Sequence, residues 1–251
     1  MPEAIIRFLC VVAAVGFAAC GGPNHQKIEF NKSTQLREQW TQVKDASGAF
    51  GHRVIYTSFY KQGGRETQGE YLDSLKNGCW RSWYESGQLR DSQNYASGKL
   101  VGTTFSYYEN GHKRTSQQYV AGMPSGSFVH WYDNGAIRQQ GNYLRGEETG
   151  EWITWFENGK KQEEGNFAEG KKQGTWVNWY VSGQKRQEIT YVDGVEEGPC
   201  VTWRKVGLRW TEGQLKAGKK EGKWTTWDEK GLVAKETVYT DGKQMQLTGD
   251  E

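Results

Sequence analysis

Rings and glycines recur along this chain at a fixed step of 24 residues. From Val54 onward eight segments of 24 residues follow without insertion, starting at 54, 78, 102, 126, 150, 174, 198 and 222. Counting each start as position zero, position 9 is glycine in all eight, from Gly63 to Gly231, and position 5 is aromatic in all eight, from Phe59 to Trp227. Positions zero and 20 are glycine in seven of the eight, and position 17 is aromatic in seven. Such a unit predicts a β-hairpin. Asn110-Gly111, Asn134-Gly135 and Asn158-Gly159 tolerate positive φ at both central residues, which predicts a type I′ turn at positions 8 and 9. The second glycine, as in Asp193-Gly194, then serves the turn into the next hairpin.

The fold class expected is all-β: an elongated single-layer meander of eight 24-residue β-hairpin repeats. At ~4.8 Å per strand, sixteen strands would extend roughly 75 Å. With the turn at positions 8 and 9, position 5 lies across from position 12. That register sets Trp83 beside Arg90, Tyr107 beside Arg114, Trp131 beside Arg138 and Trp179 beside Arg186, each a ring–guanidinium stack of about 0.5–1 kcal/mol. It also sets Trp152 across from Gly165, where the missing side chain leaves room for an indole. Strand parity places positions 2, 6 and 17 on one face and positions 3 and 5 on the other, and neither face reads plainly as the core.

Ahead of the units, Leu36, Trp40 and Val43 fall at helical spacing after Ser33 or Thr34, so residues 34–45 predict a short N-terminal capping helix over the open edge. Residues 21–33 are polar and read as a tether. The first twenty residues hold Arg7, an apolar run from Phe8 to Ala19, and Cys20, too short for a membrane span and laid out as a secretory signal. Phe17-Ala18-Ala19-Cys20 resembles a bacterial lipobox, with Phe17 in place of the usual Leu, which implies lipidation at Cys20. Gly21, where an Asp would favour inner-membrane retention, implies the outer membrane. The expected organisation is thus a signal peptide at 1–19, a tether at 20–33, a cap at 34–53, repeats at 54–245 and a tail at 246–251.

Composition narrows the function classes. Only 35% of residues are hydrophobic, yet 14% are aromatic, and glycine outnumbers proline 33 to 4. That balance suits many tight turns in a repeated sheet. A net charge of +2 spread along the chain gives no field to recruit nucleic acid. After signal cleavage the remaining thiols, Cys79 and Cys200, stand five repeats apart, roughly 48 Å at ~4.8 Å per strand, far beyond the about 7 Å a disulfide spans. His25, His52, His112 and His130 occupy unrelated places, so neither a catalytic pair nor a metal set is expected. Glu147-Glu148, Glu163-Glu164 and Glu196-Glu197 lack the Asp-rich spacing of calcium loops. No phosphate-cradling G-x-x-x-x-G-K-[ST] occurs.

Tyr143 to Gly159, YLRGEETGEWITWFENG, fits Y-x-x-G-x-x-x-G-x-W-x-x-W-Y-x-x-G, and in this the chain resembles the MORN (membrane occupation and recognition nexus) repeats, in their bacterial, antitoxin-like variant. The resemblance implies a hairpin scaffold for protein interaction, sometimes for membrane association, with no catalysis and no cofactor of its own. Rings at fixed repeat positions mainly hold unit to unit, but Trp and Arg are also typical contact residues. The candidate partner-binding residues are therefore Trp83, Arg90, Trp131, Arg138, Trp155, Trp179 and Arg186. Three partners stay open at the level of sequence: another envelope protein, a toxin masked by an immunity lipoprotein, or a glycan stacked on the tryptophans.

Overall fold

The computed structural model describes residues 26–30, 36–44 and 47–245. Signal peptide, lipidation site and tail, expected at 1–20 and 246–251, lie outside the described residues. Among the described residues twenty strands form one open antiparallel sheet. They are β1 (Gln26–Phe30), β2 (Leu36–Lys44), β3 (Phe50–Phe59), β4 (Arg65–Leu72), β5 (Leu75–Trp83), β6 (Leu89–Ala96), β7 (Lys99–Leu100), β8 (Gly102–Tyr107), β9 (Lys113–Val120) and β10 (Met123–Trp131). The series continues through β11 (Ile137–Leu144), β12 (Glu147–Trp155), β13 (Lys161–Ala168), β14 (Lys171–Trp179), β15 (Lys185–Val192) and β16 (Val195–Trp203). It ends with β17 (Arg209–Lys216), β18 (Lys219–Trp227), β19 (Val233–Thr240) and β20 (Lys243–Gln244). Each strand pairs with its neighbours in sequence, as in β12 with β13 and β13 with β14. β7 and β8 are two pieces of one pass, both paired with β6.

The expected capping helix is not formed. Leu36–Lys44 is strand β2, paired with β1 on one side and β3 on the other. Helical spacing over nine residues is a weak signal beside a neighbouring aromatic strand. Trp40 stands opposite Tyr56, with ring centres 4.6 Å apart, a contact that only the strand register supplies. Gln26–Phe30, within the segment read as a tether, is the outermost of the described strands on this side. The first edge is thus covered by two more strands.

The type I′ turn expected at positions 8 and 9 lies elsewhere in the unit. In the turn at positions 6–9, Gly135 N–H donates to the Tyr132 carbonyl at 3.0 Å, and Tyr132 N–H donates to the Ala136 carbonyl at 2.8 Å. Only the glycine has positive φ, 86°, while Asn134 does not. This is a type I turn closed by a left-handed glycine rather than a type I′ turn. The asparagine serves another purpose: its Oδ1 accepts the Ala136 N–H at 2.8 Å. Both residues have positive φ at positions 19 and 20 instead, as in Asp193 (50°) and Gly194 (82°), so the type I′ turns join hairpin to hairpin.

A bulge near each turn shifts the ring register. Thr154 pairs with Glu163 but Trp155 pairs with Lys161, leaving Gln162 as the extra residue. Position 5 therefore stands opposite position 11, not position 12. A second irregularity lies between units: Glu164 pairs with Val177 and Asn166 with Gln173, so Gly165 faces the stretch that carries Trp176.

That second irregularity makes the core. Trp152 does stand opposite Gly165 in the ladder, but the indole that fills the space over Gly165 belongs to Trp176 of the next unit. A Cβ on Gly165 would come within 2.2 Å of the Trp176 ring. Gly69, Gly141 and Gly213 receive Trp80, Trp152 and Trp224 in the same way. Each indole N–H then donates to a carbonyl of the preceding strand: Trp80 to Glu70, Trp152 to Asn142, Trp176 to Asn166 and Trp224 to Gln214, at 3.0–3.2 Å. The face of positions 2, 15 and 17 is thus the core, where the sequence left the choice open. Trp152, Trp176, Ile189, Cys200, Leu215 and Trp224 form one buried cluster, flanked by Phe128, Tyr143, Phe167, Tyr191 and Tyr239.

Candidate interaction face

With the indoles at position 2 turned into the core, the rings at position 5 lie on the opposite face, because successive side chains alternate along a strand. Trp83, Trp131, Trp155 and Trp179 are all half-buried there. The expected stacks with arginine do not form. Arg90 Nε pairs with Asp91 Oδ2 at 2.9 Å, and the Ser82 hydroxyl donates to the same carboxylate oxygen at 2.7 Å. Arg114 Nε donates to Ser106 Oγ at 3.2 Å. These serines directly precede the position-5 rings, so the arginines sit on the core side of the sheet. Arg138 rides over Tyr132, 5.7 Å from the ring centre, not over Trp131, and Arg186 is exposed. The physical cause is the bulge, which leaves position 12 unpaired and turns it away from position 5.

The position-5 rings carry other cations, drawn from position 11 of the preceding unit. Lys113 Nζ lies 6.0 Å from the Trp131 ring centre, Lys161 5.8 Å from Trp179, Lys185 5.6 Å from Trp203, and the Arg209 guanidinium 5.9 Å from Trp227. Ile137 holds the corresponding place before Trp155. Three of these cations are also tied to a carboxylate three residues on: Lys161 to Glu164, Lys185 to Glu188 and Arg209 to Glu212. The result is a triplet of ring, cation and carboxylate, presented three times in succession. Its sequence signal was available, since Glu164, Glu188, Glu212 and Glu236 follow at 24-residue steps, but the partner of each ring could not be found without the bulge.

Neighbouring units are also laced along the turn edge. Tyr60, Tyr84, Tyr108, Tyr132 and Tyr180 each donate a hydroxyl hydrogen bond to the carbonyl of the next position-5 ring residue, at 2.6–2.8 Å. Arg204 takes the tyrosine's place in the seventh unit, and its Nη2 donates to the Trp227 carbonyl at 3.0 Å. Phe156 holds this position in the fifth unit and has no hydroxyl to give.

Among the described residues no three His, Cys, Asp or Glu side chains gather where they could hold a metal ion. His112 Nδ1 lies 2.6 Å from the Asp133 carbonyl at the turn edge. His130 sits within β10, and burial, helped by the charges of Arg138 and Arg114, lowers its pKa. Burial likewise pushes the Cys200 thiol up. Tyr191 is pushed up to about 12 by burial, with Glu196 adding to the effect. The two cysteines among the described residues are free, Cys79 exposed and Cys200 buried.

An open antiparallel meander, with aromatic ladders on one face and ring–cation–carboxylate triplets on the other, is the class of protein defined here. Three of its segments, residues 76–97, 100–121 and 148–169, match the family model of the MORN repeat variant. No curated protein matches the chain. Among solved structures it is similar to the "Crystal Structure of TcdB2-TccC3-Cdc42", at 11% identity and a TM-score of 0.22, covering 80% of this chain and 14% of that one. It is also similar to the "Crystal Structure of TcdB2-TccC3", at 11% identity and a TM-score of 0.21, covering 88% and 17%. The chain thus spans less than a fifth of either, and likenesses this slight carry no argument.

Proposed function

We propose that this chain is a non-catalytic scaffold, an array of eight MORN-variant hairpin units that recognises another protein of the cell envelope along its triplet face. The observation that carries this reading is the threefold recurrence of the triplet at Lys161–Glu164 with Trp179, Lys185–Glu188 with Trp203, and Arg209–Glu212 with Trp227. A group repeated at a fixed interval on an open sheet suits an extended partner that meets each copy in the same way, with tryptophan and arginine as anchors. Lipid on Cys20 would hold the array at the membrane, in keeping with the layout of the first twenty residues.

The test is crosslinking in native envelopes, comparing the unaltered chain with a variant carrying Lys161→Glu, Lys185→Glu and Arg209→Glu. Loss of the crosslinked partner with unchanged far-ultraviolet circular dichroism is the expected result. Arg138→Ala with Arg186→Ala, neither of them part of a triplet, should leave capture intact. Equal capture by the charge-reversed array would remove the triplet face from consideration. Cys20→Ser should release the protein to the soluble fraction, and retention in the membrane would sink the anchor.

A further inference from the structure

The tryptophans at position 5 leave their polar atom unused. Trp131, Trp155, Trp179, Trp203 and Trp227 follow one another in consecutive units, and all are half-buried. Trp80, Trp152, Trp176 and Trp224 on the core face each donate their indole N–H to a carbonyl, but among the described residues no position-5 indole donates to any group of the chain. The cation that approaches four of these rings stops 5.6–6.0 Å from the ring centre. Two residues earlier on the same face stand Val129, Ile153, Val177 and Val201. The face thus offers a row of rings, a row of aliphatic side chains and a row of free indole donors.

One unit is two strands, so the rings recur at a step of about 9.6 Å. Side chains at the turn edge hold neighbouring units close at the end where the rings stand: Asn110 Nδ2 donates to the Asp133 carbonyl at 2.8 Å and Asn158 Nδ2 to the Val181 carbonyl at 3.1 Å. A partner lying along the row must present the same side at the same step. A polyproline II helix does so, with three residues per turn and a turn of about 9.3 Å. An α-helix returns to the same side after seven residues, about 10.5 Å. Over the four steps from Trp131 to Trp227 the α-helix therefore drifts by roughly 3.6 Å, and polyproline II by about 1.2 Å. A β-strand presents one side every ~6.6–6.8 Å and misses the rings.

We propose that the position-5 face binds a proline-rich segment in the polyproline II conformation, with a proline at every third residue meeting successive tryptophans. This rests on the reading of that face as the interaction surface, and it names the chemistry of the partner. A polyproline II helix makes no internal hydrogen bonds, so its carbonyls are free to accept from the indole N–H groups, while its proline rings pack on the tryptophans. The charges of the face are balanced within it, Lys161 by Glu164, Lys185 by Glu188 and Arg209 by Glu212. That balance suits an uncharged ligand.

The experiment is a calorimetric and tryptophan-fluorescence titration of the full chain with an acetylated, amidated peptide of five Pro-Ala-Gln triplets. The comparison peptides are two triplets of the same sequence, and a peptide of the same length and composition reordered so that no two prolines stand three residues apart. The five-triplet peptide should bind saturably, at least tenfold more tightly than either. Trp155→Phe, Trp179→Phe and Trp203→Phe together keep a ring and remove the N–H, and position 5 already holds Phe59 in the first unit. With circular dichroism unchanged, that variant should bind the five-triplet peptide at least tenfold more weakly. The peptide comparisons use the unaltered chain and decide the matter even where the substitutions disturb the sheet. No saturable binding, equal binding of the short or the reordered peptide, or an affinity that survives the three substitutions in a folded chain would each overturn the assignment. Loss of envelope crosslinking on charge reversal of the triplets, with no peptide bound, would keep the face as the interaction surface and reject its polyproline ligand.

Discussion

Two neighbouring junctions in the sheet fill the same space with different residues. Between the fifth and sixth units, Gly165 leaves a gap and Trp176, 2% exposed, occupies it. Between the sixth and seventh, Ile189 stands where the glycine would be and Cys200 where the tryptophan would be, paired directly in the ladder and 2% and 4% exposed. Large and small side chains have changed places across the junction. A further junction pairs Gln117 with Phe128, the glutamine buried with its amide donating to the Gln118 carbonyl at 2.8 Å. What these junctions hold constant is the volume shared by two strands, not the residue at either position. Tryptophan at position 2 of a unit occurs only after a glycine at position 15 of the unit before: Gly69 and Trp80, Gly141 and Trp152, Gly165 and Trp176, Gly213 and Trp224.

Converting one junction into the other gives the largest expected effect. Trp176→Cys alone should cost about 3–5 kcal/mol, in the range for removing a buried aromatic side chain. Gly165→Ile alone should cost about 1–3 kcal/mol by overpacking against the indole. Together they recreate the Ile189–Cys200 arrangement, so the double variant should be more stable than Trp176→Cys alone, with a coupling of about 0.5–3 kcal/mol. Urea unfolding followed by circular dichroism measures all three without relying on the altered tryptophan. Costs that simply add would show that the two junctions are not interchangeable.

The difference between these junctions also marks how far the sequence could be read. Glycine at positions 9 and 20 announced turns because few other residues adopt the left-handed region cheaply, and the spacing of rings and glycines announced strands. Asn134-Gly135 misdirected the turn type, since the same dipeptide serves a type I turn with a left-handed glycine, and only φ at Asn134 tells them apart. That choice carried the bulge with it. Without the bulge, Arg138 was assigned to Trp131 and Lys161 was not assigned to Trp179. Which indole lies over Gly165 depends on how one hairpin docks on the next, which register within a hairpin does not contain. Leu36–Lys44 was misread for a related reason: its conformation is decided by the strand it pairs with, not by its own spacing.

A smaller effect is expected where the fifth unit departs from its neighbours at the turn edge. Tyr132 and Tyr180 lace their units to the next through carbonyl hydrogen bonds, 2.8 Å each, while Phe156 between them cannot. Phe156→Tyr should therefore donate to the Trp179 carbonyl and stabilise the sheet by about 0.5–1.5 kcal/mol, and Tyr180→Phe should cost a similar amount. Hydrogen exchange of the amides in β14 and β15 reads the change locally. Unaltered protection in both variants would mean that the indoles alone hold neighbouring units together.

The smallest effect belongs to the triplet face, and its smallness follows from exposure. The side chains of Lys185 and Glu188 are 47% and 37% exposed, so solvent screens the pair, and an exposed ion pair contributes about 0–1 kcal/mol. The contact of Lys185 with Trp203 is weak for the same reason, about 0.5–1 kcal/mol. Lys185→Gln should thus lower stability by no more than about 1 kcal/mol, and Ile137 shows that an uncharged residue can hold the corresponding place before Trp155. A loss comparable to that of Trp176→Cys would make the triplet a structural brace equal to the indole junction. A loss near zero leaves Lys185, Glu188 and the Trp203 ring available for recognition.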